Sequence, residues 1–160
     1  MEHIRIQPLK PDLFAPYGDV LQASGAPDKV INLGKCGRFH DRARLDFGPR
    51  GRAGISIFDA EPRELPYRLD LVERHPEGSQ AFLPMHGHDW LVIVAEDGDI
   101  PGAIHAFRAG PGQGVNFHRG TWHGVLTPLH APGLFAVVDR IGDSANLEEF
   151  PLPQPVMITD

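Results

Sequence analysis

The hydrophobic positions of this chain fall in short runs of strand length. Tyr67, Leu69 and Leu71 alternate with polar residues, which is the period of a strand with one buried face. Trp90–Ala95 and Leu134–Val138 are continuous apolar runs, a pattern typical of strands that are buried on both faces. The same signals predict further strands at Ile4–Ile6, Val20–Leu21, Val30–Ile31, Ile55–Phe58, Ser79–Leu83, Ala103–Arg108 and Trp122–Leu126.

Glycine and proline interrupt these runs throughout the chain. With 18 glycines and 16 prolines in 160 residues there is little room for long helices, and only Pro11–Phe14 is predicted as a short helical turn. Arg38–Arg52 is predicted as a loop or edge strand with solvated charges, and Glu73–Gly78 as a charged turn. About ten short strands with under about 15% helix, against the usual third, indicate an all-β jelly-roll barrel or sandwich.

Length and composition favour a single domain over residues 1–160, with residues 144–160 as an extended C-terminal arm. Hydrophobic residues make up 41% and charged residues 22%, an ordinary globular composition. The net charge of −6 argues against nucleic acid or an anionic membrane as a partner. Cys36 is the only cysteine, which excludes an internal disulfide and fits a reducing compartment. The N-terminus lacks an apolar signal core, so the expected location is cytoplasmic.

The segment Gly112–His123 has the highest density of side chains suited to catalysis or binding. In an extended strand, residues two apart share a face, so Asn116 and His118 should point the same way. Gly120 favours a turn, which can bring His118 and His123 toward one pocket. The alternative is a hairpin with surface histidines.

The spacing of this segment resembles the second motif of cupin barrels, G-x5-P-x-G-x2-H-x3-N. Gly112, Gly120 and His123 match it, while His118 stands in the place of the proline and Thr127 in that of the asparagine. The fold predicted on this basis is a cupin-like double-stranded β-helix, a jelly-roll barrel with few short helices.

Two long segments, Glu73–Met85 and Gly112–His123, resemble the ureidoglycolate lyase family. Ala15–Val20, Phe39–Asp41 and Asp139–Arg140 are also similar to it, in the same order. The resemblance implies a cupin-type homodimer that cleaves ureidoglycolate to glyoxylate and urea in the breakdown of allantoin and purines. It also implies a divalent metal such as nickel as the candidate cofactor, without assigning its ligands.

This chemistry needs a base for the hydroxyl proton of the substrate and an acid for the leaving urea nitrogen. His118 and His123 are the predicted catalytic pair, because imidazole exchanges protons near neutral pH, and the order of their roles stays open. Arg74 or Arg140 is predicted to bind the substrate carboxylate through two parallel hydrogen bonds. The alternative for both arginines is a structural ion pair.

The ureido group needs both donors and acceptors. Asn116 and Gln80 carry paired amide groups that suit it, and both are predicted to bind substrate. Trp122 is predicted to form a wall of the pocket. For Asn116 and Trp122 the alternatives are a satisfied β-bulge and a place in the hydrophobic core.

A metal site is predicted from the H-x-H pattern His86-Gly87-His88, which resembles the centre of the first cupin motif but lacks its acid. If Met85–Asp89 continues as a strand, His86 and His88 face the same way and, with His123, supply three imidazoles for a divalent metal. If Gly87 forms a turn, both side chains face solvent. The rival functions are a metal-dependent cupin isomerase or dioxygenase on another small carboxylate and a non-catalytic binding cupin.

Overall fold

The computed structural model of the protein describes residues 1–160 and is almost entirely β-structure. The single helix α1, Pro11–Phe14, has four residues, so the prediction of an all-β fold with little helix is confirmed. That helix falls far short of the length and hydrophobicity needed to span a membrane. The strands are β1 (Glu2–Pro8), β2 (Gly18–Leu21), β3 (Lys29–Ile31), β4 (Cys36–Arg38), β5 (Arg52–Asp59), β6 (Tyr67–Arg74), β7 (Gln80–Pro84), β8 (Trp90–Ala95), β9 (Ile104–Ala109), β10 (Gly114–Phe117), β11 (Trp122–His123), β12 (Thr127–Pro128), β13 (Leu134–Ile141) and β14 (Glu148–Thr159).

The larger sheet closes on itself. Its order is β11-β6-β14-β1-β9-β8-β12, and β8 also pairs with β11, so the ring of strands from β11 to β8 forms a barrel. In this barrel β1 runs parallel to both β14 and β9, whereas the other pairs are antiparallel. A closed mixed barrel agrees with the cupin-like prediction. Its core is built from Leu69, Val72, Leu91, Ile93, Ala95, Ala106, Trp122, Val156 and Ile158.

A second sheet, β2-β10-β7-β13-β5, packs against the barrel wall and is called the outer sheet. Its inner face meets the outward face of β8 and β9 in a second hydrophobic core, rich in aromatic rings such as Trp90 and Phe135, whose centroids lie 4.8 Å apart. Because β8 stands between the two cores, every residue of Trp90–Ala95 is buried, as its continuous apolar run predicts. The prediction that Leu134–Val138 is buried on both faces is wrong. Buried and half-buried residues alternate there, since only one face of the outer sheet is covered by the barrel.

Strand pairing differs from the sequence prediction in two places. Glu73 is not in a turn, because it pairs with His123 on one side and Glu149 on the other, so β6 runs on to Arg74. The C-terminal segment, expected as an extended arm, is extended and lies as β14 between β6 and β1. The register of β14 against β6 shifts between Pro151 and Val156. Proline lacks an N–H group, and at such an irregularity its missing donor costs no ladder hydrogen bond.

The segment predicted as a loop runs without regular structure from residue 39 to residue 51 and crosses the solvent side of the outer sheet. Backbone N–H groups tie it down: that of Arg44 donates to the Asp19 carboxylate at 2.8 Å, and that of Asp46 to the Ser79 hydroxyl at 2.8 Å. The carbonyl of Asp46 in turn accepts the Ser79 N–H at 2.8 Å. This segment therefore covers the buried polar residues of the outer sheet.

Candidate active site

Polar side chains replace the apolar ones at one end of the core between the barrel and the outer sheet. Glu73 on β6 and His123 on β11 are direct partners across the ladder, and His75 follows Glu73 by two residues. The ligand atoms of these three residues all lie within 4.8 Å of one another. They are called the Glu73–His75–His123 cluster below.

His123 is 2% exposed, and its ring stacks on that of Phe117 with centroids 4.3 Å apart and planes inclined by 5°. Its Nδ1 lies 2.9 Å from the carbonyl oxygen of Gly124, so Nδ1 carries the proton and donates it there. Its buried Nε2 has no hydrogen-bond partner. Burial, reinforced by the nearby His75, lowers the pKa of His123 to about 3. The ring is therefore neutral at physiological pH and offers a free lone pair at Nε2.

His75 repeats this arrangement. Its Nδ1 lies 2.9 Å from the carbonyl oxygen of Asn146, and its buried Nε2 is without a partner. The ring centroids of His75 and His123 are 5.2 Å apart. Burial raises the pKa of the neighbouring Glu73 carboxyl, an effect that His75 opposes and Glu149 reinforces. The cluster is thus a desolvated pair of imidazoles beside a carboxyl group.

Gln80 continues this polar surface on the outer sheet. It is paired with Phe117 on β10 and with Asp139 on β13, so the three side chains share the face turned toward the barrel. The Gln80 Nε2 donates to the Asp139 carboxylate at 3.1 Å, while its buried Oε1 accepts nothing. Gln80 therefore presents a free acceptor on the same side of the sheet as the Phe117 ring, on which His123 stacks.

The cluster has the properties of a divalent metal site. Two imidazole nitrogens and one carboxylate are a ligand set found in catalytic zinc enzymes, where a fourth position stays open for water or substrate. Both Nδ1–H groups are held by backbone carbonyls, which orients the rings and points the Nε2 lone pairs at the cluster. Buried polar atoms without partners are costly, so these atoms favour a bound cation, water or ligand.

The structure does not bring His118 together with His123. Asn116 and His118 share a face, as their spacing predicts, but it is the solvent-side face of the outer sheet, opposite to Phe117. There the Asp19 carboxylate lies 3.0 Å from both the His118 Nε2 and the Asn116 Nδ2. Burial alone would raise the pKa of Asp19, but hydrogen bonds from the Arg44 N–H, Asn116 and His118 outweigh it and lower that pKa.

Arg74 and Trp122 lie together at the mouth of the barrel. The Arg74 Nε and Nη2 each lie 2.7 Å from the Glu148 carboxylate, and its Nη1 donates to the Gly98 carbonyl at 3.1 Å. The guanidinium carbon lies 4.3 Å from the centre of the Trp122 ring, which is 2% exposed and belongs to the barrel core. The donors of Arg74 are therefore already engaged within the protein.

Arg140 projects from the solvent side of the outer sheet, on the opposite face from Asp139. Its Nε donates to the carbonyl of Phe47 at 3.1 Å and its Nη1 to the hydroxyl of Ser144 at 3.0 Å. It lines a cavity together with Arg50 and Arg119.

His86 and His88 lie in the turn between β7 and β8, which is the arrangement expected if Gly87 does not continue a strand. Their ring centroids are 5.8 Å apart, and the His88 ring lies 5.2 Å from that of His130. Neither belongs to the group of ligand atoms around His123. The His86 ring packs on that of Phe135, with centroids 4.8 Å apart, and its buried Nε2 has no partner, so this side chain turns toward the core instead of facing solvent.

Sequence reasoning did not single out Glu73 and His75, because the charged stretch from Glu73 to Gly78 suggested a turn. The signal that could have found them is their spacing, since an acid and a histidine two residues apart in a strand share one face. Placing them beside His123 required knowledge of the pairing between β6 and β11.

Comparison with known proteins identifies the chain's relatives. The sequence profile described as "Ureidoglycolate lyase" matches residues 1–159. A ureidoglycolate lyase of Rhodobacter capsulatus is 60% identical over 159 residues, which cover 99% of each chain. Ureidoglycolate lyase 2 of Rhizobium meliloti is 48% identical over 155 residues, covering 96% of this chain and 95% of the relative. A ureidoglycolate lyase of Mesorhizobium japonicum is 49% identical over 152 residues, covering 94% and 93%.

Proposed function

The chain belongs to the ureidoglycolate lyase family, and we propose from this that it cleaves ureidoglycolate to glyoxylate and urea at the Glu73–His75–His123 cluster. The reaction would place it in the degradation of allantoin and purines. The observation that carries the proposal is the convergence of two buried, unpartnered Nε2 atoms with a carboxyl group at the edge of a hydrophobic core.

The chemistry sets clear demands. Ureidoglycolate carries a carboxylate, a hydroxyl and a ureido group on one carbon. On cleavage the hydroxyl loses its proton and its oxygen forms the carbonyl of glyoxylate. The carbon–nitrogen bond breaks with its electron pair going to nitrogen, and that nitrogen takes up a proton to give urea. One group must therefore accept a proton and another must donate one.

His123 and Glu73 differ in how well they suit proton transfer. A histidine with a pKa of about 3 is neutral at pH 7, so His123 accepts a hydrogen bond or binds a cation rather than donating a proton. Burial raises the pKa of the Glu73 carboxyl, so when no metal is bound its carboxylate is a stronger proton acceptor than an exposed one. The Gln80 Oε1 is free to accept an N–H of the ureido group, and Asp139 fixes the orientation of that amide.

We propose that Glu73, His75 and His123 hold a divalent metal such as nickel. Such an ion, when bound, polarises oxygen atoms of a substrate as a Lewis acid. The donor set, the orientation of both rings by backbone carbonyls and the unpartnered Nε2 atoms support this assignment. The metal site predicted from His86, His88 and His123 lacks this support.

Glyoxylate release from ureidoglycolate tests the function. His75→Ala and His123→Ala are each expected to lower kcat/KM by roughly 100-fold or more, the usual scale of losing an acid–base group or a metal ligand. Absence of release by the intact, metal-loaded protein would overturn the proposal and favour another small carboxylate as substrate.

The catalytic pair His118 and His123 stays a prediction, and His118→Ala separates it from the cluster hypothesis. If His118 acts in proton transfer with Asp19 as its orienting carboxylate, His118→Ala loses as much activity as His123→Ala. If the cluster acts without it, His118→Ala keeps a rate within a few-fold of the parent. Circular dichroism of each variant verifies that it is folded.

We also propose a homodimer in which a second copy of the chain covers the solvent side of the outer sheet around β5. Ile55 and Ile57 are 75% and 58% exposed, and Leu83 lies in the same cross-strand row as Ile57 and is 41% exposed. β5 is also an edge strand with unpaired backbone groups. A contiguous exposed apolar face on an unpaired edge is typical of an interaction surface.

A further inference from the structure

The molecule carries a polar cavity on the solvent side of the outer sheet, outside the Glu73–His75–His123 cluster. It has a volume of about 300 Å³, and four of its six lining residues carry a charge. The lining consists of Gly48, Pro49, Arg50, Glu77, Arg119 and Arg140. Three guanidinium groups thus face one carboxylate in a protein whose overall charge is −6.

The arginines of the cavity have no carboxylate in direct contact, which exposed arginines such as Arg5, Arg52 and Arg63 share, so burial is what distinguishes Arg140 among them. Arg74, Arg108 and Arg68 each hold a carboxylate oxygen at 2.7 to 2.9 Å. In the cavity the nearest carboxylate of Arg140 is that of Glu77 at 3.9 Å, and that of Arg119 belongs to Asp46, also at 3.9 Å.

Arg50 and Glu77 are the other two charged residues of the cavity lining. Arg50 makes no ion pair within 4.0 Å. The Glu77 carboxylate accepts a hydrogen bond from the Ser144 hydroxyl and keeps its charge, so one negative charge faces three positive ones. The cavity therefore holds positive charge that the protein itself does not neutralise closely.

The side chain of Arg140 is fixed by its neighbours. Its side chain is only 6% exposed, and a buried guanidinium without a close carboxylate is costly unless a ligand supplies one. Three glycines, Gly51, Gly78 and Gly142, surround it so closely that a Cβ at any of them would overlap its side chain. With its Nε on Phe47 and its Nη1 on Ser144, the guanidinium is fixed with Nη2 uncommitted.

We propose that this cavity binds the carboxylate of a small organic acid between Arg140, Arg119 and Arg50. The fixed guanidinium of Arg140 matches the planar, two-oxygen geometry of a carboxylate. The cations of Arg119 and Arg50 add attraction for the negative charge, whatever the rest of the acid carries. The volume suits a molecule of a few heavy atoms. That the acid is the substrate itself rests on the proposed function, whereas carboxylate binding does not.

Binding is tested by titrating the protein with glyoxylate and, separately, with acetate, following the backbone amide resonances of Gly48 and Gly142. Arg50→Gln and Arg119→Gln are each expected to weaken binding by roughly 10-fold or more, as the loss of one charge-assisted contact does. Arg68→Gln is the matched control, since it removes the same charge from an exposed ion pair with Asp70 and should leave binding unchanged.

A second variant tests position rather than charge. Gly142→Ala keeps all three arginines but forces the guanidinium of Arg140 to move, so it should weaken carboxylate binding by a similar factor. No saturable binding by the parent protein, or equal binding by the Arg50, Arg119 and Arg68 variants, would overturn the proposal.

Steady-state kinetics show whether the bound carboxylate belongs to ureidoglycolate or to a separate acid. If ureidoglycolate binds at this cavity as a second molecule, since the cluster lies on the opposite face of the outer sheet, Arg50→Gln and Arg119→Gln change how the rate depends on the ureidoglycolate concentration, while kcat is kept. If a separate acid supplies the carboxylate, KM stays at the parent value although acetate binding is lost, and carboxylate binding at the cavity is equally supported. Loss of carboxylate binding in these variants, together with no glyoxylate release by any of the proteins, would sink the proposed function but not the cavity.

Discussion

At the scale of single residues, the two nitrogens of each cluster histidine face different surroundings. In both His75 and His123 a backbone carbonyl occupies Nδ1, and Nε2 is buried without a partner. Such an arrangement destabilises the empty protein slightly and prepares it for a ligand, because the polar atoms are desolvated before the ligand arrives. The Nε2 atoms that lower the stability of the empty protein are therefore the atoms that would bind the ligand.

Lowering the pH should destabilise the metal-free protein through His123. Its unfolded pKa is near 6.5 and its folded pKa about 3, so between these values the unfolded state binds more protons. The free energy of unfolding then falls as the pH falls, by up to about 1.4 kcal/mol per pH unit from this group. Urea denaturation of EDTA-treated protein between about pH 7.5 and 4.5 measures this, and His123→Gln should show a shallower slope.

The range above about pH 4.5 keeps Asp19 out of that measurement, whereas Glu73, whose raised pKa acts with the opposite sign, contributes to both proteins and is removed by comparing them. The folded pKa of Asp19 is lowered, so its stabilising contribution is present above its unfolded pKa near 3.9 and is lost only as the pH falls through the folded value. Equal slopes for the parent and His123→Gln would contradict the assignment of a strongly lowered pKa to His123.

Metal content should depend on the cluster. After incubation with nickel and desalting, untagged parent protein is expected to retain about one ion per chain, whereas Glu73→Gln and His75→Ala should lose most of it. Elemental analysis measures this directly. The double variant His86→Ala/His88→Ala is the control and should keep its metal. Loss of metal in the double variant alone would restore the three-histidine hypothesis.

At the scale of elements, the approach of β2 to β10 positions the polar residues on the solvent side of the outer sheet. Gly18 on β2 is opposite Phe117, and Asp19 is opposite Asn116, which lets the Asp19 carboxylate reach both Asn116 and His118. A Cβ at Gly18 would overlap the carbonyl oxygen of Asn116. The close contact of the two strands thus depends on glycine at this position.

Gly18→Ala is expected to lower the free energy of unfolding by roughly 1–3 kcal/mol, the usual cost of overpacking. Urea denaturation measures the change. Gly87→Ala is the control, because a Cβ there meets nothing within 4 Å, and it should stay within about 0.5 kcal/mol of the parent. Equal stabilities of the two variants would show that β2 can move away from β10 at little cost.

At the scale of the whole molecule, the barrel and the outer sheet use their surfaces differently. The barrel strand β8 is buried on both sides, whereas the outer sheet has one face partly covered by residues 39–51 and partly open. The open part carries the exposed side chains of Ile55 and Ile57. An apolar face of this kind is where a second copy would bury the most surface.

The double variant Ile55→Glu/Ile57→Glu should therefore convert the protein from dimer to monomer. Size-exclusion chromatography with light scattering is expected to give about twice 17.6 kDa for the parent and about 17.6 kDa for the variant. Leu33→Glu is the control, since Leu33 is 99% exposed at the tip of the β3–β4 hairpin, away from this face. A monomeric parent, or a variant that stays dimeric, would refute the proposed interface.

Much of the fold was readable in the sequence because its signals are local. Glycine and proline spacing excluded long helices, and apolar runs located β8 and β9 to within a residue. The alternation of a strand also predicted that Asn116 and His118 share a face. The resemblance of two motifs to one family agreed with the relatives later found along the whole chain.

Only the tertiary structure decided which chemistry meets where. His123 faces Glu73 and His75 because β11 pairs with β6, a contact between segments some fifty residues apart that no local pattern contains. His118 faces Asp19 because β10 pairs with β2, which places Asp19 opposite Asn116 on the face that His118 shares. Local sequence determines the period and bounds of a strand. The partners of its side chains depend on register and sheet closure, which are set by how the whole chain packs.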